Sequence, residues 1–112
     1  MQIEVPDGES GSYVRAFLDG LDEVQRFEAY DRIEGYEKMT HLELLNGGKL
    51  ENLGDHLYKL EVRVKDLRLR FFGVMCKGVL FLLHGFKKKT PRIPDRELKT
   101  ARRRAASFLC PN

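Results

Sequence analysis

Residues 57–91 read LYKLEVRVKDLRLRFFGVMCKGVLFLLHGFKKKTP and carry the clearest structural pattern in the chain. From Leu57 to Val64 apolar and polar residues alternate, and the alternation resumes in Leu67–Phe72. A period of two predicts antiparallel β-strands with one packed face and one face in water. Val79–Leu83 is apolar at every position, which predicts a central strand that is covered on both faces.

The dipeptide Lys65-Asp66 between the first two strands predicts a two-residue hairpin turn. With that turn Val64 lies opposite Leu67, and apolar residues meet apolar residues along one face of the hairpin. On the other face Arg63 lies opposite Arg68, although like charges in directly opposed positions destabilise a sheet.

A second turn at Lys77-Gly78 predicts that Arg68 also lies opposite Lys87. Arg63, Arg68 and Lys87 then form a row of cations across three strands. Such a row suits a phosphate, which arginine binds through two parallel N–H bonds and lysine attracts as a point charge. The alternative is three solvated side chains that spread apart, and one bulge in the third strand would break the row.

The position of His84 depends on the same register. Without a bulge it lies on the core face opposite Phe71, where a packed, hydrogen-bonded histidine is the structural expectation. A bulge after Leu83 would instead turn His84 to the wet face. There it would be the best general acid or base in the chain, because the ordinary pKa of histidine, ~6.5, is close to neutral.

The region before residue 57 predicts a short strand and two helices. Gln2–Val5 predicts the strand. Apolar residues then recur at spacings of three and four over Val14–Phe27, which predicts a helix that Gly20 weakens without ending. Tyr36–Leu45 predicts the second helix.

The region after residue 86 is basic. The run Lys87-Lys88-Lys89-Thr90 is suited to successive phosphates, but it is equally compatible with a solvated loop or with contacts to an acidic protein. Asp95 can cap a helix, and Arg96–Leu109 predicts a basic helix at the C-terminus.

The composition of the chain supports one folded domain over residues 1–112, with 42% apolar and 33% charged residues. The formal charge of +3 conceals a gradient, because residues 1–56 carry 13 acidic and 5 basic residues whereas residues 87–104 carry 2 acidic and 9 basic ones. The basic second half indicates an anionic partner, either nucleic acid or an acidic protein. The alternative is a solvated basic helix balanced by an acidic one.

Several protein classes are excluded by the sequence. No apolar run approaches the ~20 residues of a membrane helix, and residues 1–10 lack the apolar segment of a secretory signal, so a cytoplasmic protein is expected. Cys76 and Cys110 are too few for a disulfide scaffold and, with three histidines, show no zinc-site spacing. The motifs of phosphate-binding loops, nucleophile elbows and dinucleotide-binding folds are missing as well.

Several segments resemble motifs of a known toxin superfamily. LYKLEVR at 57–63, RLRFF at 68–72 and LLHGFKKKTP at 82–91 are similar to motifs of the phage-derived, HigB-like branch of the RelE/ParE toxin superfamily. VRAFLDGL at 14–21 resembles a helix of the same family, which often has arginine where this chain has Glu61. The resemblance spans about residues 13–105, and HGFKKKT is its most specific part.

The resemblance implies an α+β, RelE-like fold, with two N-terminal helices on a mainly antiparallel sheet of about four strands and a basic C-terminal helix. It also implies a type II toxin, usually an endoribonuclease that cleaves mRNA on the ribosome without a metal or other cofactor. The partner would be a helix-turn-helix antitoxin. In this chemistry the 2′-OH of the RNA attacks the adjacent phosphate, and the protein supplies a base, an acid and cations.

For this chain, the implied site combines phosphate-binding cations with a group that transfers the proton. Arg68 and Lys87 hold the scissile phosphate with the assistance of Arg63, and His84 or a neighbouring lysine transfers the proton. Eight further cations follow the RNA backbone, namely Arg70, Lys88, Lys89, Arg92, Arg96, Lys99, Arg102 and Arg103. The alternative is a non-enzymatic protein of the same fold, such as a gyrase inhibitor of the ParE branch or a phage factor that binds a host protein.

Overall fold

Residues 1–111 are described by the computed structural model of this protein, and they form an α+β fold, as predicted. The elements in chain order are β1 (Gln2–Glu4), α1 (Glu9–Asp19), α2 (Glu23–Glu37), α3 (His41–Asn46), β2 (Leu50–Gly54), β3 (Leu57–Val64), β4 (Leu67–Cys76), β5 (Val79–Lys87) and α4 (Asp95–Ser107). Among residues 1–111, no helix combines the length and hydropathy needed to cross a membrane.

The strands form one mixed sheet in the order β1-β5-β4-β3-β2. β1 runs parallel to β5, and every other neighbouring pair is antiparallel. The sheet has five strands rather than about four because β2 was not predicted. Leu50 is the one fully buried residue of β2, so no alternation of apolar and polar residues marks this strand in the sequence.

Helices α1, α2 and α3 pack on one face of the sheet, and α4 packs on the other. Successive side chains of a strand point to opposite faces of a sheet. Phe71 therefore packs in the layer on one face and Phe72 in the layer on the other. Phe71 joins Val14 and Leu18 of α1, whereas Phe72 joins Ala101 of α4, and both rings are inaccessible to solvent. The face predicted to lie in water is therefore partly covered by α4.

Both predicted hairpin turns are confirmed. Val64 lies opposite Leu67 and Arg63 lies opposite Arg68, so the β3–β4 register is the predicted one. At the second turn Lys77-Gly78 has φ angles of 51° and 80°. This left-handed pair of conformations is what a type I′ turn requires, and glycine adopts it without steric cost.

The predicted register between β4 and β5 is wrong beyond Gly73, because β5 contains a bulge. Gly73 lies opposite Leu82 but Phe72 lies opposite His84, so β5 contributes one extra residue at this point. As a result Lys87 lies opposite Leu69 rather than Arg68, and the predicted row of Arg63, Arg68 and Lys87 does not form.

The bulge has a packing reason. It places Gly85, rather than the predicted His84, opposite Phe71. The ring of Phe17 in α1 packs edge-on against Phe71 there, with 5.8 Å between the ring centroids. A Cβ atom at position 85 would lie 2.7 Å from the Phe17 ring and 2.9 Å from the Phe71 ring. A histidine does not fit this space, so the extra residue moves His84 to the other face.

The first predicted helix, over Val14–Phe27, is two helices in the structure. α1 ends at Asp19, and α2 begins after Asp22, whose side chain accepts a hydrogen bond from the Gln25 N–H in a capping box. Phe27 therefore belongs to α2, where it is 72% exposed instead of joining the core.

The second predicted helix, over Tyr36–Leu45, is also divided. Tyr36 belongs to the end of α2, and α3 begins after a capping box between Thr40 and Glu43. The predicted basic helix at the C-terminus is confirmed as α4, within two residues at each end.

Candidate nucleic-acid interface

Arg63 and Arg68 form an exposed pair of cations on the sheet. α4 packs over Leu57 and Phe72, whereas Arg63 and Arg68 occupy the opposite end of the β3–β4 hairpin, beside its turn. Side chains in directly opposed positions of an antiparallel pair have Cβ atoms only ~5 Å apart. Like charges in directly opposed positions destabilise a strand pair, and an anion bound between the two arginine side chains removes this repulsion.

Lys88, rather than Lys87, is the β5-side cation on this face of the sheet. Its backbone N–H donates to the Arg68 carbonyl at 2.8 Å, and its Nζ lies 2.9 Å from Oε1 of Glu61. Burial alone would raise the pKa of the Glu61 carboxyl, but the hydrogen bond from Lys88 and the charges of Lys88, Lys59 and Arg70 bring it below its ordinary value. Glu61 is therefore a carboxylate at neutral pH, next to the arginine pair.

Arg70 was predicted to bind RNA, but the structure places it inside the protein. It is 2% exposed, and its guanidinium donates to the carbonyls of Pro91 at 2.7 Å and Arg92 at 3.3 Å. Nε of Arg70 is buried without a partner among the described residues. Since Arg70 holds the segment between β5 and α4 against the sheet, it positions the cations of that segment rather than contacting a ligand.

The remaining predicted cations lie on two elements. Lys89 and Arg92 are exposed on the segment between β5 and α4. Arg96, Lys99 and Arg103 share the outer stripe of α4, since their spacing of three and four places them one above another. We define the cation surface as the exposed residues Arg63, Arg68, Lys89, Arg92, Arg96, Lys99 and Arg103.

Arg102 lies outside the cation surface. Its guanidinium donates to the Leu53 carbonyl at 3.2 Å and lies 3.9 Å from the Asp55 carboxylate. These contacts direct the side chain to the β2–β3 end of the sheet.

The bulge at Leu83 turns His84 to the face of the sheet that was predicted to be wet, but α4 covers this part of the face, so His84 is packed and hydrogen-bonded rather than free to act as an acid or base. It sits beneath α4, 9% exposed, with its ring stacked on Phe72 at 6.1 Å between centroids. Arginine only donates hydrogen bonds, so Nδ1 of His84 accepts from Arg104 at 2.7 Å and the ring proton lies on Nε2, 3.1 Å from Glu97 Oε2. Burial lowers the pKa of His84, and the charges of Arg104 and Arg103 lower it further against the opposing effect of Glu97.

His84 is therefore a neutral structural residue with both ring nitrogens occupied. The arginine that holds it, Arg104, also lies over the Tyr13 ring of α1, 3.6 Å from the centroid. Sequence reasoning missed Glu97 and Arg104 as its partners. Their separation of seven residues, two turns on one face of α4, is the signal that could have indicated a shared contact.

The chain matches one family model, described as "Phage derived protein Gp49-like (DUF891)", over residues 16–106. The match includes the β3–β4 hairpin, the bulged strand β5 and most of α4. Among curated proteins, none matches the chain.

Proposed function

The chain belongs to the phage-derived Gp49-like family, and on this premise we propose that it is a type II toxin of the HigB-like branch of the RelE/ParE superfamily. It acts as an endoribonuclease that cleaves mRNA on the ribosome and so stops translation. The cytoplasm of a bacterial cell is its place of action, and a helix-turn-helix antitoxin neutralises it. The observation that carries the proposal is the exposed, directly opposed pair Arg63 and Arg68 within a larger cation surface.

The arginine pair is suited to the transition state of RNA cleavage. When a 2′-OH attacks the adjacent phosphate, negative charge grows on the phosphorane oxygens. Preorganised cations that meet this developing charge provide the largest stabilisation in many enzymes. Arg63 and Arg68 hold the phosphate between them, and Lys88 replaces Lys87 as the third cation of this site.

Proton transfer falls to Glu61 and Lys88 rather than to His84. Both nitrogens of His84 are bonded beneath α4, so it cannot reach an RNA on the cation surface. Glu61 is ionised and lies on the same face as the arginine pair. Its carboxylate accepts the 2′-OH proton, and Lys88, its ion-pair partner, donates a proton to the leaving 5′ oxygen.

The test is induced expression in bacteria followed by mapping of new mRNA 5′ ends. We expect wild type to arrest growth and create new ends, and Arg68→Ala to lose both while remaining folded. A matched control is Arg32→Ala, which removes an exposed arginine from α2, outside the cation surface. If Arg68→Ala still produces the same ends as wild type, the site assignment is wrong.

A comparison of two adjacent lysines tests the corrected register. Lys88→Met removes the ion-pair partner of Glu61, whereas Lys87→Met removes an exposed lysine that lies opposite Leu69. We expect the first substitution to reduce cleavage much more than the second. Equal losses would contradict the assignment of Lys88 to the site.

The second candidate is a binding protein of the same fold without nuclease activity. The observation that favours it is an exposed apolar stripe on α2, in which Val24, Phe27 and Tyr30 are 56%, 72% and 47% exposed. Solvent-exposed aromatic residues at helical spacing are typical of protein-binding surfaces. Growth arrest with intact mRNA, lost on Phe27→Ser and retained by Arg68→Ala, would support this candidate over the nuclease.

A further inference from the structure

The fold brings together the two cysteines of the chain, which lie far apart in the sequence. Cys76 is the last residue of β4, and Cys110 follows α4. Both line one open cavity of about 480 Å³, together with His56 and Arg102. The Cys110 thiol is close enough to Cys76 to contribute to the raised pKa of the Cys76 thiol.

The segment that carries Cys110 is anchored close to this cavity. α4 ends at Ser107, and the ring of Phe108 packs on Phe81 of β5 with 5.2 Å between centroids. Arg102 ties the middle of α4 to the β2–β3 turn through the Leu53 carbonyl. These two contacts hold α4 and the residues after it over the sheet, so Cys110 stays near Cys76.

We propose that Cys76 and Cys110 form a reversible disulfide that fastens the segment after α4 to the β4–β5 hairpin. The oxidant is a low-molecular-weight disulfide such as oxidised glutathione. The Cys110 thiolate attacks one sulfur of glutathione disulfide, forms a mixed disulfide and releases one glutathione thiolate. The Cys76 thiolate then attacks the Cys110 sulfur, forms the protein disulfide and releases the second glutathione thiolate. The two released thiolates take up the two protons that the cysteines lost, so one glutathione disulfide becomes two thiols.

The order of the two attacks follows from the surroundings of each sulfur. Cys110 is exposed, whereas Cys76 is partly buried. Burial, together with the neighbouring Cys110, raises the pKa of Cys76 to about 11. Because the thiolate is the attacking species, Cys110 reacts first and Cys76 completes the bond more slowly.

The test incubates the reduced full chain with oxidised glutathione at mildly alkaline pH, followed by intact-mass measurement and thermal unfolding. We expect a monomer that has lost two hydrogen atoms and carries no glutathione. A cross-link between residues 76 and 110 restricts the unfolded chain, so the melting temperature of the oxidised protein should rise by about 10 °C. Reduction should bring the melting temperature back to its original value. A persistent glutathione adduct, a covalent dimer or two unreacted thiols would each overturn the proposal.

Two single variants identify the partners. Cys76→Ser should stop at the mixed disulfide and retain one glutathione on Cys110. Cys110→Ser removes an exposed side chain, so it should fold normally, lose no hydrogen atoms and show no change in melting temperature on oxidation. If Cys110→Ser shows the same rise in melting temperature as wild type, the rise has another cause and the proposal is wrong.

Discussion

Gly85 is the residue on which the bulged register depends. It lies opposite Phe71, in a space bounded by the Phe17 and Phe71 rings, where a Cβ atom would be 2.7 Å and 2.9 Å from ring carbons. We expect Gly85→Ala to lower the free energy of unfolding by about 1–3 kcal/mol, the usual cost of one excess carbon in a packed core. Urea denaturation of the variant and wild type measures this difference.

A second substitution relieves the same contact and serves as the control. Phe17→Leu replaces the nearer of the two rings that meet the new Cβ atom and leaves the Phe71 ring in place. If the packing account is right, Gly85→Ala should cost less in a Phe17→Leu background than in wild type, since the two changes share one contact. Additive effects would show that the glycine is required for another reason.

The buried site of His84 makes stability depend on pH. Burial is the main cause of its lowered pKa, and Arg104 and Arg103 act in the same direction. The unfolded chain therefore takes up the proton at a higher pH than the folded chain. The contribution of neutral His84 to the free energy of unfolding is fully present above the unfolded pKa of ~6.5. It decreases as the pH falls below that value, until the folded histidine is protonated as well.

Thermal unfolding between neutral and mildly acidic pH tests this dependence. On acidification the melting temperature of wild type should fall further than that of His84→Gln, because glutamine does not titrate. The slopes of melting temperature against pH are compared, because the substitution also changes the melting temperature at neutral pH. Parallel slopes would mean that protonation of His84 does not oppose folding.

The residues of the candidate site were predictable to different degrees. Arg63 and Arg68 were placed opposite each other from the sequence, because alternation and a two-residue turn determine the register of a hairpin. Lys87 was misplaced because the bulge depends on Phe17, a residue of α1 that no local pattern in β5 reveals. The burial of Arg70 depends equally on distant groups, the carbonyls of Pro91 and Arg92.

Among the elements, the β2–β3 hairpin turn carries backbone strain. Asp55 and His56 have φ angles of 53° and 64°, a conformation that costs a non-glycine residue about 1–2 kcal/mol. Glycine avoids this cost but loses more backbone entropy on folding. We expect His56→Gly to raise the free energy of unfolding by roughly 0.5–1 kcal/mol, measured by urea denaturation. His56→Ala keeps a Cβ atom and should show no such gain; equal stabilisation by both would contradict the backbone explanation.

The elements that were predicted well are those with a strong internal period. β3, the first part of β4 and α4 follow the alternation or the helical spacing of their own residues. β2 was missed because a single buried residue, Leu50, gives no period. The boundary between α1 and α2 was missed because the apolar spacing continues through it to Val24 and Phe27, which the structure leaves exposed.

Across the molecule, the acidic and basic residues lie in different layers of the fold. The layer of α1, α2 and α3 comes from the acidic first half of the chain, whereas α4 and the segment before it carry most of the cation surface. The sheet between them separates the two, so an anionic partner that approaches α4 does not meet the acidic helices directly. This arrangement turns a modest net charge of +3 into a molecule with one strongly basic side.

The salt dependence of RNA binding tests whether this basic side contacts phosphates. The ligand is a single strand whose 2′-OH groups are methylated, so that it is not cleaved. Each phosphate contact to a single strand contributes about 0.7 to the slope of log affinity against log salt concentration. We therefore expect a steep slope for wild type, a slope smaller by about 0.7 for Arg68→Gln, and an unchanged slope for Arg32→Gln. Equal slopes for wild type and Arg68→Gln would remove Arg68 from the interface. A flat slope for wild type would favour the protein-binding candidate, because an apolar contact through Phe27 releases no counterions.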